Sequence, residues 1–197
     1  KSLEEKEEKK FYNGVKHRWI LNNLEDIGNN IYNRTSNLIK SNSNLLTDSN
    51  NRFSNRKGTY EDKYVSDSDN WLTNVTDRVK GLETERESIR SYLGQYADYF
   101  NEDFVNSIYD TLDKSDKLED GSSLYQSILN TAKQDNEYWG QFDVEDYNKQ
   151  HDLYVLENTA KNAQDLEEYS QIGANVKNPT IYEAESQGLL DDWFGLW

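Results

Sequence analysis

Cysteine and methionine are absent from this sequence of 197 residues, and proline occurs once. Without cysteine the chain has no disulfide framework, no thiolate zinc site and no cysteine nucleophile. No apolar run approaches the roughly 18 residues that mark a membrane-spanning helix. The hydrophobic fraction of 34% and the mean hydropathy of −1.06 argue against a single large core. At roughly 150 residues per domain, we expect one or two small units.

The two ends of the sequence differ in character. Residues 1–10 form a charged run without the apolar stretch of a secretory signal, and there is no initial methionine. We therefore expect a fragment or a processed product of a longer polypeptide. Residues 189–197 are the most hydrophobic stretch, although a solvated terminus rarely carries large aromatic side chains. We predict that the polypeptide continues past Trp197 into a hydrophobic segment, or that Trp193, Phe194 and Trp197 dock on a partner protein.

Charge is distributed unevenly along the sequence. Residues 1–100 hold 16 basic and 16 acidic side chains, whereas residues 101–197 hold 6 basic and 21 acidic ones and carry the whole net charge of −15. Nucleic-acid-binding proteins concentrate positive charge on one face, and an acidic half repels phosphate. The sequence therefore predicts no direct nucleic-acid binding and a solvated acidic helix surface.

Heptad spacing is the strongest pattern in the sequence. Nine positions between 72 and 100 alternate steps of three and four, which places them on one seam of a helix predicted over 71–100. Arg86 is the charged member of this seam. Because such a seam packs against partner helices, we predict self-association, preferably as a trimer, through its apolar members. These are Leu72, Val75, Val79, Leu82, Ile89, Leu93, Tyr96 and Phe100.

A second seam, interrupted by polar residues, runs from Ile20 to Leu45 in a helix predicted over 11–47. Strand signals are nearly absent. The sequence therefore predicts an all-α fold of extended helices with coiled-coil heptads, oligomeric and without a sheet. The predicted segments are a charged end (1–10), an amphipathic helix with a polar connector (11–58), the heptad helix (59–100), shorter helices (101–140), a long acidic helix (141–173) and a loop with an aromatic apolar end (174–197).

Local signals predict the turns of the second half. Asn101 is a candidate N-cap, because its side chain can accept from the first free N–H groups of a helix. A polar turn containing Gly121 is predicted over 114–123, and Ser122 or Ser123 then caps a helix that Gly140 ends.

Aromatic residues recur at an offset of 42, near the end of two predicted helices. In both places an acidic helix start follows. We predict that these aromatic side chains fill corners where the helices change direction. The corner residues are Tyr96 and Phe100 in the first place, and Tyr138, Trp139 and Phe142 in the second.

The sequence contains no pattern typical of catalysis, of a metal site or of a cofactor site. The two histidines, His17 and His151, have no ligand or base partner at helical spacing, and we expect His151 to pack between helices. Acidic stretches at 67–69 and 113–121 miss the ligand positions of an EF-hand loop. Phosphate-binding glycine loops and serine nucleophile elbows are lacking. We predict a non-enzymatic protein with no cofactor.

A short aromatic motif followed by acidic residues occupies positions 136–148. It reads Tyr138-Trp139-Gly140-Gln141-Phe142, with Tyr147 and Asn148 after the acidic residues. This motif resembles an element of tape-measure-like long helical structural proteins in the tails of bacteriophages of Firmicutes. Residues 92–162, about a third of the chain, are similar in general layout. The sequence departs from the family in having glycine in place of serine at position 140, and in lacking the family's long hydrophobic segment.

The resemblance implies a structural protein of the virion tail, present in several copies, in contact with other tail proteins and with no membrane segment in this part of the chain. Two alternatives remain open. One is a surface-exposed helical-bundle module that binds a host ligand. The other is an internal or ejected protein of the same virion.

Overall fold

The computed structural model describes residues 14–52, 61–141, 169, 172–175, 177 and 179. They form five α-helices, which confirms the all-α prediction for this part of the chain. The helices are α1 (14–22), α2 (Leu24–Asn51), α3 (Glu61–Tyr96), α4 (Glu102–Lys114) and α5 (Leu124–Gln141), with short 3₁₀ turns at Ala97–Tyr99 and Ile172–Asn175. Among these residues no helix is both long and apolar enough to cross a membrane.

The first predicted helix is interrupted once. Asn23, with φ −111° and ψ 8°, forms a turn between α1 and α2, and its backbone N–H donates to the carbonyl oxygen of Trp19 at 3.1 Å. The α2 helix then continues to Asn51, four residues beyond the predicted end, and α3 begins at Glu61. The polar connector predicted between the two seams lies largely outside the described residues, and α3 begins ten residues earlier than the sequence indicated.

Helices α2 and α3 form an antiparallel pair. The ion pair between Arg34 and Glu85, at 2.7 Å, crosses one level of the pair, and that between Asp48 and Arg78, at 2.8 Å, crosses another. Because the residue number rises on one helix as it falls on the other, the two helices run in opposite directions.

The third helix of the bundle is broken into α4 and α5, which follow one another along the α2–α3 pair. Ser115, just after α4, contacts Asn42 of α2. Asp135 of α5 contacts Arg52, ten residues further along α2. Both helices therefore run parallel to α2, and the predicted polar turn at 115–123 separates them.

Local signals had placed this turn correctly. Gly121 has φ +83°, a value that favours glycine because it lacks a Cβ. Asn101 accepts from the backbone N–H of Asp103 at 2.8 Å and so caps α4 as predicted. Of the two candidate caps for α5, Ser123 accepts from the backbone N–H of Gln126 at 3.1 Å.

The described residues beyond 168 lie against α2 and α4. The hydroxyl of Tyr169 is bonded to Asn42, and the backbone N–H of Lys177 donates to α4. Pro179 lies on Gly28, where an added Cβ would come within 2.9 Å of the proline Cβ. From Tyr169 to Pro179 these contacts run antiparallel to α2, so the chain returns along α2 toward its N-terminal end.

Two hydrophobic clusters fill the bundle, one at each end. The first joins α1, the N-terminal half of α2, the C-terminal half of α3, and α4. The second joins the C-terminal half of α2, the N-terminal half of α3, α5 and Tyr169. Their largest fully buried side chains include Tyr125, Tyr169, Phe104, Leu24 and Leu93.

The heptad seam of α3 packs inside the chain, and its predicted role in self-association stays a prediction. Five of its apolar members are at most 3% exposed and pack on α2, α4 or α5 of the same chain; these are Val75, Val79, Ile89, Leu93 and Phe100. The other three, Leu72, Leu82 and Tyr96, are partly buried against the same clusters. Heptad spacing identifies a stripe that needs partner helices, but it does not specify whether those helices belong to the same chain.

Candidate functional site: two polar clusters inside the bundle

A cluster of polar side chains lies where α4 gives way to α5. We call it the joint cluster; it comprises Asn42, Arg86, Ser115, Asp116, Ser123, Tyr125 and Tyr169. Asn42 is fully buried at its centre. Its Nδ2 donates to the carbonyl oxygen of Ser115 at 3.1 Å and to the hydroxyl of Tyr169 at 2.6 Å, and its Oδ1 accepts from the hydroxyl of Tyr125 at 2.8 Å. One amide thus ties α2 to three later parts of the chain.

Asp116 organises the start of α5. Its carboxylate accepts from the Ser123 hydroxyl at 2.9 and 3.0 Å and from the backbone N–H of Tyr125 at 2.9 Å. These bonds satisfy donors at a helix start, where the backbone N–H groups have no partner within the helix. The carboxylate therefore closes the turn between α4 and α5.

Arg86, the charged member of the predicted seam, faces this cluster from α3. Its Nη1 lies 3.5 Å from Asp116 Oδ2, and its guanidinium carbon lies 5.8 Å from the ring centroid of Tyr125. The charge that interrupted the heptad pattern is thus placed against a carboxylate and an aromatic face. A charged residue in an otherwise apolar seam was thus the sequence signal for a polar contact at this point of α3.

The two tyrosine hydroxyls of the joint cluster remain protonated at ordinary pH. Burial raises the pKa of Tyr125 to about 12, and the hydrogen bond to Asn42 opposes this shift only in part. Burial also raises the pKa of Tyr169. A neutral tyrosine hydroxyl can donate and can accept a hydrogen bond. At Asn42 the Tyr125 hydroxyl donates and the Tyr169 hydroxyl accepts.

A second group of polar residues, the end cluster, lies at the C-terminal end of α2. It comprises Arg52, Asp67, Trp71, Asp135 and Trp139. The Arg52 guanidinium donates to Asp135 Oδ2 at 3.1 and 2.7 Å and to Asp67 Oδ2 at 2.7 Å. Trp139 Nε1 donates to the other oxygen of Asp135 at 2.8 Å. The side chains of Arg52 and Asp135 are 2% and 1% exposed, so this is a buried ion pair.

One of the predicted corner residues, Trp139, belongs to the end cluster, where it donates to Asp135. Trp139 is 1% exposed and its ring lies at 87° to that of Tyr138, with 4.8 Å between the centroids. The α5 helix continues through Gly140 to Gln141. Phe142 lies outside the described residues, as do His151 and the predicted docking residues Trp193, Phe194 and Trp197.

Both clusters use their hydrogen-bonding capacity on protein partners. Asn42 makes three bonds, Asp116 accepts from two residues, and Asp135 accepts from arginine and tryptophan together. Buried polar groups arranged in this way fix the register of helices, since a shifted register would leave them without partners. Chemically, the clusters are suited to positioning helices.

A shallow groove of about 390 Å³ lies on the N-terminal half of α2. Leu24, Phe100 and Pro179 form its floor, and polar side chains line its edges. Within the described residues no group of three or more histidine or acidic side chains is arranged to hold a metal ion.

No protein-family model matches the chain, and comparison with curated proteins and with solved structures finds no match. Function is therefore inferred from the residues themselves and from the resemblance of the aromatic motif at 136–148.

Proposed function

We propose that the chain is a non-enzymatic, rigid helical component of a tailed-phage particle, of the tape-measure-like or tail-tip type. The observation that carries this proposal is the saturation of the two interior polar clusters by protein partners, which is the design of a scaffold with one defined register. The phage context comes from the resemblance of the aromatic motif that contains Tyr138 and Trp139.

The mode of assembly that we propose differs from a coiled coil along α3. Because the heptad residues of α3 pack inside the bundle, contacts with further copies, as in a trimer, or with other tail proteins would use the outer surface. Exposed carboxylates occur on α4 at Glu102, Asp103, Asp110 and Asp113. An acidic outer surface of this kind would not retain passing DNA, which suits a component of a tail.

The inward packing of both stripes favours a second candidate, a surface-exposed helical-bundle module that binds a host ligand. Such a module folds alone and keeps its apolar residues within one chain. An internal or ejected protein of the same virion is a third candidate with the same structural requirements.

Antibodies raised against the chain would separate these candidates by electron microscopy of particles and of uninfected host cells. Label along the tail or at its tip supports the proposal, whereas label only within opened capsids supports the internal protein. Label on uninfected cells, with none on particles, would overturn the virion assignment in favour of the binding module.

Two measurements test whether α3 mediates assembly: the mass of the protein in solution and its melting temperature. We expect Ile89→Asp, at a fully buried position, to lower the thermal stability of the chain. The matched control is Ser88→Asp on the exposed side of the same helix, which should leave the melting temperature within a few degrees of the parent. If Ile89→Asp instead dissociated an oligomer and left each bundle folded, α3 would be an intermolecular seam after all.

A further inference from the structure

Helix α1 exposes an apolar face with basic residues on it. Val15 and Trp19, one turn apart, are 47% and 54% exposed and are the large hydrophobic residues that the described part of the chain leaves open. Positions 15, 18, 19 and 22 share one side of the helix and are all exposed. Lys16 and Arg18 are exposed on the same helix. The opposite side of α1 is held by Ile20, which is buried in the first hydrophobic cluster.

We propose that residues 189–197 of the same chain dock on this face. The segment reads Leu189-Leu190-Asp191-Asp192-Trp193-Phe194-Gly195-Leu196-Trp197, so it is apolar, aromatic and acidic without a basic residue. Its apolar side chains complement Val15 and Trp19. Its two aspartates complement Lys16, and opposite charges placed together steer and select a contact.

The last described residue, Pro179, lies near α1. Pro179 lies on Gly28 and beside Phe100, at the corner between α3 and α4. The ring of His17, on α1, lies 6.3 Å from the ring of Tyr99 at the same corner. Trp19 and Gly28 are nine positions apart with the turn at Asn23 between them, so they lie at most about 32 Å apart.

The number of residues between positions 179 and 189, and the effective concentration that this short connection gives, favour the chain's own segment over a second copy as the occupant of the exposed face of α1. Ten residues between positions 179 and 189 span up to about 35 Å when extended, which is more than the distance needed. A short tether of this kind raises the effective concentration of the segment at α1 to the millimolar range.

Disulfide trapping in the full chain tests this proposal, since the sequence has no cysteine of its own. The variant Asn22→Cys/Gly195→Cys places one thiol on the exposed face of α1 and one in the segment, and it leaves every proposed contact residue intact. In a glutathione redox buffer we expect an intramolecular disulfide, seen as a faster-migrating monomer that reductant reverts. It should form at least tenfold faster than in the control Gly81→Cys/Gly195→Cys, whose first thiol lies on α3 with open space around it.

Substitution of the docking tryptophan provides the second arm. Trp19→Glu, added to the double-cysteine variant, should lower the rate to that of the control, whereas Trp19→Phe should retain most of it. Circular dichroism of both variants verifies that the bundle stays folded, as expected for an exposed position. Equal rates in the test and control pairs would overturn the proposal. So would covalent dimers from mixed single-cysteine chains that form faster than the intramolecular bond, because they would assign the face to a second copy.

Discussion

Removal of the buried carboxylate at Asp135 is the sharpest test of how the bundle is held together. Asp135→Asn keeps the shape of the side chain but removes its charge. At present the carboxylate accepts from Arg52 on one oxygen and from Trp139 on the other. An asparagine has only one acceptor oxygen, so its NH₂ group would face a donor, and the guanidinium would lose its fully buried counter-charge.

The magnitude follows from the burial of both partners. Breaking a buried ion pair by removing one charge costs about 3–5 kcal/mol, and in this variant the Arg52 charge keeps only its half-exposed partner Asp67. A domain of this kind has a total free energy of unfolding of about 5–15 kcal/mol. With a urea m-value of about 2 kcal/mol per M, the midpoint of unfolding should fall by about 1.5–2.5 M.

Urea unfolding followed by circular dichroism at 222 nm measures this change. The matched control is Asp67→Asn, which removes the other carboxylate that Arg52 contacts; its side chain is 48% exposed, and we expect a loss of at most about 1 kcal/mol. The double variant Arg52→Met/Asp135→Leu should recover most of the stability, since a well-packed apolar pair can replace a buried ion pair. A stability of Asp135→Asn equal to that of the parent would refute the reasoning.

Three further predictions concern other parts of the bundle. The pKa of Tyr125 in the fold is about 12, above its value near 10 in the unfolded chain, so the unfolded state loses its proton first. Stability should be complete below pH 10, and Tyr125 should contribute a fall of about 1.4 kcal/mol per pH unit from pH 10 to 12, to which Tyr169 adds because its pKa is also raised; urea titrations at several pH values would show this. Gly28→Ala should destabilise by about 1 kcal/mol in urea titration, because overpacking outweighs the gain in helix propensity: the new Cβ would lie 2.8 Å from the buried ring of Phe100. Asn101→Ala should lower the free energy of unfolding by about 1 kcal/mol through loss of the cap, measured in the same way.

Each of these three predictions can be compared with a control variant of the same chain. Tyr125→Phe should remove part of the loss above pH 10, and an unchanged slope would show that Tyr125 does not cause it. Gly81→Ala, at a helical position with nothing within 4 Å of the new Cβ, should stabilise by up to about 1 kcal/mol; equal effects at positions 28 and 81 would contradict the packing argument. Asn106→Ala, within α4, should change stability by less than the cap does.

The sequence predicted the elements whose signals are local. The caps at Asn101 and Ser123 and the glycine turn at Gly121 depend on residues within a few positions of one another, and the structure has each of them. The heptads likewise identified the buried stripes. The partner of those stripes could not be predicted, because intramolecular and intermolecular packing require the same spacing.

The two polar clusters could not be predicted from local sequence signals, because their residues come from distant parts of the sequence. Asn42 and Tyr125 are 83 positions apart, as are Arg52 and Asp135. Such pairs leave no short-range pattern except an interruption in an apolar stripe, as at Arg86. The segment around Phe142 and the aromatic end of the chain lie outside the described residues, so those expectations stay predictions.

The structure contains a repeat that the aromatic residues did not indicate. Helices α4 and α5 bury equivalent positions at an offset of 20: Phe104 with Leu124, Ile108 with Ile128, Thr111 with Thr131, Leu112 with Ala132, and Ser115 with Asp135. The last pair contacts Asn42 and Arg52, which are ten residues apart on α2 and hence separated by about 15 Å.

This repeat explains why the third helix is broken. In one continuous helix, positions 115 and 135 would lie about 30 Å apart, twice the spacing of their partners on α2. The loop at 115–123 takes up the difference, so that two similar helices present the same buried face to the α2–α3 pair. Toward its C-terminal end each helix then makes a polar contact at α2, one with Asn42 and one with Arg52. Because a shift of either helix by one turn would separate its polar residue from that partner, the two clusters set the register of the bundle, while the apolar stripes supply most of its burial.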